Sequence, residues 1–158
     1  AMSTAYSEYK KHIRAVLAEY GRQRILFGAI SVKFYHADGI SPNEGGIISA
    51  RDQNLLLFRD GATLKIYEEV RIVNNEIHRL KYSYHYQRPN GYFFRYEREE
   101  TDDPIRKPEY HMHAVLNLPH FNAPSVNLEI ILQLMVANFY SPDVYSRQII
   151  GQEIHLTV

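Results

Sequence analysis

The chain contains no cysteine and no tryptophan among its 158 residues. Without cysteine it has no disulfide, no thiolate nucleophile and no cysteine-ligated zinc, and a reducing compartment is the expected environment. Its 18 basic residues balance its 18 acidic residues, so a nucleic acid would have to be held by a local patch rather than by net charge. No apolar run approaches the roughly 18 residues of a membrane helix, and no signal-peptide pattern is present. We therefore expect a cytoplasmic protein without a membrane partner.

The length and the 45% hydrophobic content predict a single domain over residues 1–158. Apolar residues at helical spacing from Tyr9 to Tyr20 predict an amphipathic first helix that ends at Gly21. Period-two patterns and turn dipeptides predict strands at 30–35, 55–59, 63–73, 76–87, 92–99 and 110–115. The loop at 38–46 and the loop containing Pro119 and Pro124 are expected to lack regular structure.

A second helix is predicted at 128–139, with Asn127 as its N-terminal cap. It is apolar on nearly every face, which favours burial and also suits the interface of a homodimer. The tail at 147–158 alternates weakly, as a last strand would. The fold class is therefore predicted as α+β: an antiparallel meander of about five to six strands, an N-terminal amphipathic helix and a buried C-terminal helix.

The stretch KYSYHYQRPNGYFFRYERE, residues 81–99, combines aromatic rings, cations and carboxylates around an Asn-Gly turn. With a two- or four-residue turn, one face of the hairpin carries Tyr82, Tyr84, Tyr86, Phe93, Arg95 and Glu97, and pairing with the preceding strand adds Lys65, Tyr67 and Glu69. Either this face binds a ligand, or its rings pack while their hydroxyls reach water. His85 is expected on the opposite face, as a core histidine, unless the turn is bulged.

In the stretch PEYHMHAV, His111 and His113 point to the same face of a strand, with Cα atoms about 6.6 Å apart. Two imidazoles at this distance can share a metal ion or one phosphate. A third metal ligand would come from His120, Glu109 or the pair Asp102-Asp103, and no complete zinc pattern such as HExxH is present. A solvated strand face explains the pattern equally well, so we predict no metal and no cofactor.

Several of these motifs together resemble a known family. Tyr82-Ser83-Tyr84-His85-Tyr86, Phe94-Arg95-Tyr96, His111-Met112-His113 and the stretch VNLEIILQLMVANF resemble the TumE family of small bacterial toxins from toxin–antitoxin pairs, over roughly residues 62 to 140. The resemblance implies a cytoplasmic bacterial protein, a small DNA-binding antitoxin as its partner, and an activity directed at RNA.

A mechanism consistent with the residue pattern and with the RNA-directed activity that the resemblance implies is metal-independent cleavage, in which a ribose 2′-hydroxyl attacks the neighbouring phosphate. His113 or His85 exchanges the proton, Arg95 stabilises the phosphoryl charge, and Tyr84 positions the phosphate or donates a proton. The predicted substrate-binding residues are His111, Tyr82, Tyr86, Glu97 and Lys65. Two alternatives remain: a metal-dependent enzyme that uses the His-x-His pair, and a non-catalytic module that binds through the aromatic face.

Overall fold

The computed structural model describes residues 5–27, 32–35, 44–50 and 55–140. The chain divides into two compact units, residues 1–123 and 124–158, so the predicted single domain remains a prediction. The strand predicted at 147–158 lies outside the described residues. In the described part of the chain, no helix is both long enough and apolar enough to cross a membrane.

The first unit consists of helix α1, Ala5–Arg22, and an antiparallel sheet that has nine strands within the described residues. The strands are β1 Leu26–Phe27, β2 Lys33–Tyr35, β3 Gly45–Ala50, β4 Leu56–Phe58, β5 Thr63–Val73, β6 Glu76–Gln87, β7 Phe93–Arg98, β8 Tyr110–Ala114 and β9 Leu116–Asn122. Their order is β1-β4-β5-β6-β7-β8-β9, with β3 also pairing β5 and β2 pairing β3. The predicted α+β fold class is confirmed, but the sheet is larger than the predicted five to six strands.

Three strands were not predicted, each for a local reason. β1 has only two residues, too few to show a period. β3 begins with Gly45 and Gly46, which we assigned to a loop. β9 contains Pro119, which cannot donate a ladder hydrogen bond and is tolerated mainly in edge strands. β9 occupies the last position of the strand order among the described residues, where this loss is acceptable.

The turn between β6 and β7 decides which side chains share a face of the sheet. Arg88 N donates to Tyr92 O at 2.8 Å, so Pro89, Asn90 and Gly91 form a three-residue loop. Gly91 has φ 94°, the left-handed conformation that such loops require. The predicted two- or four-residue turn was therefore wrong. Side chains alternate between the two faces of a sheet along each strand. A loop that is one residue longer or shorter therefore reverses which face of β7 lies beside a given face of β6.

A bulge in the pairing of β5 with β6 likewise reverses which faces of these two strands lie together. The hairpin turn at Asn74 and Asn75 has positive φ angles of 50° and 60°, and the pairing Val73↔Glu76 begins as predicted. Between Glu69 and Val70 the register shifts by one residue. As a result the predicted faces were wrong: Lys65, Tyr67 and Glu69 accompany His85, and not the neighbouring tyrosines.

The tyrosines of β6 lie in the core. Tyr82, Tyr84 and Tyr86 are each 1% exposed, and Leu64 and Ile66 of β5 are buried on the same face. Helix α1 contacts β6, Tyr9 of the helix donates a hydrogen bond to Glu68 on this face, and the buried residues of the helix are Tyr6, Ile13 and Leu17. The sheet therefore buries one face, and its opposite face carries the polar side chains described below.

The second unit contains helix α2, Leu128–Met135, followed by a π-helical turn, Val136–Tyr140. Asn127 caps the helix, since its side-chain Oδ1 accepts a 2.8 Å hydrogen bond from Ile130 N. The predicted C-terminal helix is confirmed, and its buried residues are Leu128, Ile131, Leu132 and Met135.

Candidate active site on the polar face of the sheet

Four ionisable side chains form a row across the polar face, which we call the catalytic row because three of them are residues predicted for catalysis. Lys65 pairs with His85, His85 with Arg95, and Arg95 with His113, so the row crosses β5, β6, β7 and β8 in register. Adjacent strands are about 4.8 Å apart, so each side chain of the row lies beside the next one. The sequence prediction named all four residues, and the fold brings them together.

A second row lies beside the first. Tyr67 pairs with Ser83, Ser83 with Glu97, and Glu97 with His111. Glu97 is the link between the two rows, because its Oε1 accepts a hydrogen bond from Arg95 Nε and lies 3.2 Å from His113 Nε2. The predicted substrate-binding residues Glu97 and His111 are therefore next to the catalytic row.

His85 faces Arg95 directly, with 3.4 Å between its Nδ1 and Arg95 Nη1. Its Nε2 lies 3.1 Å from Gln87 Oε1, an acceptor, so Nε2 carries the proton and Nδ1 presents a lone pair to the guanidinium. Burial lowers the pKa of His85, and the nearby charges of Arg95 and Lys65 lower it further. The ring also stacks on Phe93, with centroids 4.7 Å apart. His85 is thus neutral near pH 7 and available as a base.

Arg95 is held in place from two directions. Its Nε donates a hydrogen bond to Glu97 Oε1, and its Nη2 donates a 3.0 Å hydrogen bond to Asn117 Oδ1. Asn117 lies on β9, and its backbone oxygen accepts from His113 Nδ1 at 3.0 Å. Asn117 therefore positions both Arg95 and His113, although nothing in the sequence pattern distinguished it from other loop asparagines.

His113 is 3% exposed. Burial lowers its pKa, and the charge of Arg95 adds to this effect, while Glu97 opposes it. Since Nδ1 donates to a backbone carbonyl, the Nε2 atom is the one that faces Glu97. A neutral Nε2 and a carboxylate oxygen are both acceptors, so a proton or another cation has to lie between them.

Three histidines meet at the end of the two rows, and we call them the histidine cluster. The rings of His111, His113 and His120 are in edge contact, with centroids 4.7 to 5.1 Å apart. One ring nitrogen from each of them lies within 4.8 Å of the others, so these three residues could hold a metal ion. Glu97, Glu99 and His111 form an overlapping second group with the same spacing.

A cleft of about 210 Å³ lies beside three residues of the catalytic row, Lys65, His85 and Arg95. Its lining residues are Lys65, Ile66, Tyr67, Ser83, His85 and Arg95. Tyr67 adds a phenol, whose hydroxyl donates to Glu69 Oε1 at 2.5 Å. The hydroxyls of Tyr67 and Ser83 were not among the predicted site residues: the wrong register placed Tyr67 on the opposite face from His85, and Ser83 was expected beside His85 on the core face.

The other predicted site residues do not reach this face. Tyr84 donates a 2.7 Å hydrogen bond to the buried Glu68 and accepts one from Arg79 Nη1 at 3.0 Å. Tyr86 accepts a hydrogen bond from Arg88 Nη1 at 2.9 Å. These tyrosines, together with Tyr82, lie on the buried face, so the aromatic face proposed for ligand binding is part of the core.

A family model described as Toxin TumE matches residues 30–138. The chain belongs to the TumE toxin family. The match includes all of the catalytic row and the histidine cluster, and it confirms the resemblance seen in the sequence. No curated protein and no solved structure gives a significant match.

Proposed function

We propose that this TumE family toxin acts on RNA by metal-independent cleavage of a phosphodiester. The ribose 2′-oxygen attacks phosphorus and loses its proton, the bond to the 5′-oxygen breaks, and that oxygen takes up a proton. The products are a 2′,3′-cyclic phosphate and a free 5′-hydroxyl. The observation that carries the proposal is the row in which Arg95 lies between two imidazoles, His85 and His113.

Arg95 and Lys65 supply the positive charge for the phosphate. A guanidinium can donate two parallel hydrogen bonds to phosphoryl oxygens, and this interaction strengthens as charge develops in the transition state. Glu97 and Asn117 fix the orientation of Arg95, which reduces the entropy that binding has to overcome. Lys65, one strand beyond His85, contributes a second cation at the cleft.

His85 and His113 exchange the protons. The neutral Nδ1 of His85 accepts the proton of the 2′-hydroxyl, while the proton shared by His113 Nε2 and Glu97 Oε1, on the other side of Arg95, is delivered to the leaving oxygen. This division matches an in-line displacement, whose attacking and leaving oxygens lie on opposite sides of phosphorus. Phe93, half-exposed and stacked on His85, is the ring on which an unpaired base can pack.

Family membership supports a small antitoxin as the protein partner, and the cytoplasm, where RNA is available, as the site of action. Co-expression with a small DNA-binding reading frame from the genomic neighbourhood tests the partner. Restored growth together with co-purification is the expected result, and toxicity unchanged by every neighbouring frame would contradict it. The predicted homodimer is tested by light scattering of the purified toxin.

The decisive experiment incubates purified protein with total bacterial RNA in excess EDTA. Wild type should cleave, and Arg95→Ala, His85→Ala and His113→Ala should each lose about a hundredfold or more in rate. Arg106→Ala is the matched control, since Arg106 has an 89% exposed side chain outside both rows. Circular dichroism establishes that each variant is folded.

Each possible negative result of this experiment favours a different alternative. Intact RNA in EDTA with cleavage restored by added Zn²⁺ would replace the proposal with the metal-dependent alternative. Intact RNA under both conditions, with RNA still bound, would favour a non-catalytic binding module. Cleavage by the His85 and His113 variants at the wild-type rate would remove these residues from the mechanism.

A further inference from the structure

His111 carries an unsatisfied nitrogen in the interior. The residue is 0% exposed, and its Nδ1 lies 2.7 Å from Pro108 O, an acceptor, so Nδ1 holds the proton. The lone pair of the neutral ring is then on Nε2, which has no hydrogen-bond partner among the residues that the structure describes. Glu99 Oε1 is 3.8 Å away, beyond hydrogen-bonding distance. Leaving a buried acceptor unpaired is unfavourable, so such an atom calls for a ligand.

His113 is oriented in the same way. Its Nδ1 donates to the backbone oxygen of Asn117, which leaves Nε2 as the second inward-facing nitrogen. Metal-binding histidines usually donate their other ring nitrogen to a backbone carbonyl or a carboxylate, which fixes the tautomer and the orientation of the ring. Both histidines of β8 therefore have the backbone contacts that a metal site needs.

His120 completes a set of three nitrogens. Its ring contacts both of the others, and the three donor atoms lie within 4.8 Å of one another. A tetrahedral Zn²⁺ with Zn–N distances of about 2.0–2.1 Å holds its nitrogens roughly 3.3 Å apart. The three ring nitrogens, which lie within 4.8 Å of one another, would therefore have to approach one another by at most about 1.5 Å. Rotations about the side-chain torsions of the three histidines would have to supply this closure. Glu97, Glu99 or a water molecule can supply the fourth ligand.

The ligand type indicates which ion would bind. Neutral imidazoles suit zinc and other late transition metals, whereas magnesium and calcium select oxygen ligands. An alternative, in which the three rings hydrogen-bond to one another, is not supported, because the Nε2 atom of His111 makes no such bond. The acidic side chains nearby also compensate the charge of a divalent cation, although Arg95 already contacts Glu97 and Lys107 Nζ lies 2.8 Å from Glu99.

We propose that His111, His113 and His120 bind one Zn²⁺, and that the bound zinc inhibits RNA cleavage by occupying His113 Nε2. The second half of the proposal rests on the proposed function, in which His113 delivers a proton. A nitrogen that is coordinated to zinc cannot donate or accept this proton. Zinc binding would thus act as a switch that keeps the toxin inactive, independently of an antitoxin.

Direct binding tests the first half without any measurement of activity. The protein is stripped with chelator, exchanged into metal-free buffer and titrated with Co²⁺, whose visible absorption reports tetrahedral nitrogen coordination, and then with Zn²⁺, which displaces it. We expect one ion per chain for wild type and at least a hundredfold weaker binding for His120→Gln. His78→Gln is the control, since His78 lies near the β5–β6 turn with a 46% exposed side chain. No stoichiometric binding at micromolar Zn²⁺, or equal binding by the His120 variant, would overturn the site.

The activity of the same proteins tests the switch. Wild type should cleave RNA in EDTA and lose activity as Zn²⁺ saturates the site, while His120→Gln, which retains His113, should cleave at all micromolar zinc concentrations. Zinc that binds stoichiometrically without lowering the rate would refute the inhibition. If wild type does not cleave in EDTA, the proposed function fails, whereas the Co²⁺ titration still decides the metal site. Equal melting temperatures in EDTA would exclude misfolding of the variant.

Discussion

His85 and Arg95 are direct cross-strand partners, and 3.4 Å separates the Nδ1 atom of one from the Nη1 atom of the other. The sequence pattern had assigned these two residues to opposite faces of the sheet. Their pairing places a neutral imidazole beside a fixed cation at the edge of a cleft, and it explains why burial is not the only cause of the lowered pKa of His85.

The rate of RNA cleavage should depend on the ionisation of His85 at acidic pH. Because the pKa of His85 lies below its ordinary value of 6.5, the acidic limb of the rate profile should have its midpoint below that value. Lys65→Ala removes a charge that opposes protonation, so it should move this midpoint to higher pH. Lys81→Ala, an exposed lysine on the same face of β6, is the control. A midpoint that Lys65→Ala leaves unchanged would argue against His85 as the base.

Arg95 should resist conservative replacement. Arg95→Lys keeps the positive charge but loses the planar group that binds both Glu97 and Asn117, so we expect only partial activity, with a rate between those of wild type and Arg95→Ala. Single-turnover cleavage of a short RNA measures the effect. A lysine variant with the full wild-type rate would show that the charge alone is sufficient and that the orientation of the guanidinium has no role.

Tyr84 should contribute to stability rather than to cleavage. Tyr84→Phe removes a buried donor to Glu68 and an acceptor for Arg79, and we expect the free energy of unfolding to fall by about 1–3 kcal/mol. Urea denaturation measures this change, and Tyr92→Phe, at a position that is 56% exposed, serves as the control. A loss of cleavage without a loss of stability would return Tyr84 to the active site.

Glu68 should make the stability of the protein depend on pH. The side chain is 0% exposed, and burial raises its pKa, although hydrogen bonds from Tyr9 and Tyr84 and the charge of Arg79 oppose this effect. The folded state therefore holds a proton that the unfolded state releases near pH 4.5, so stability should fall as pH rises from 4.5 through the raised pKa. Glu68→Gln removes the titrating group and should flatten this part of the curve.

Melting temperatures between pH 4 and pH 8 compare wild type with Glu68→Gln. Glu100→Gln, in an exposed position after β7, should retain the wild-type slope. If Glu68→Gln instead keeps the wild-type slope, other groups cause the pH dependence, and the carboxyl of Glu68 does not change its ionisation on folding.

The sequence was sufficient for elements whose signals are local. The strands at 63–73 and 76–87 were predicted with the bounds that the structure has, because each combines alternating residues with a turn dipeptide. Asn127 was recognisable as a cap, since a short polar side chain precedes an apolar helical run. The histidines at 111 and 113 were expected on one face for the same reason, since alternation along one strand requires no knowledge of its partners.

Tertiary structure alone decided which faces of different strands belong together. The loop at 89–91 has one residue more than a two-residue turn, and β6 has one bulged residue where the register with β5 shifts between Glu69 and Val70. Each of these reverses which faces of the two strands lie together, and neither leaves a clear mark in the sequence. The loop brought His85 beside Arg95, the bulge brought Lys65 beside His85, and the tyrosines of β6 lie on the opposite, buried face. The contact of His120 with His111 likewise depends on β9, a strand that Pro119 concealed. Residue types thus determined the available chemistry, and the register, which depends on the free energy of burying one face, determined which groups act together.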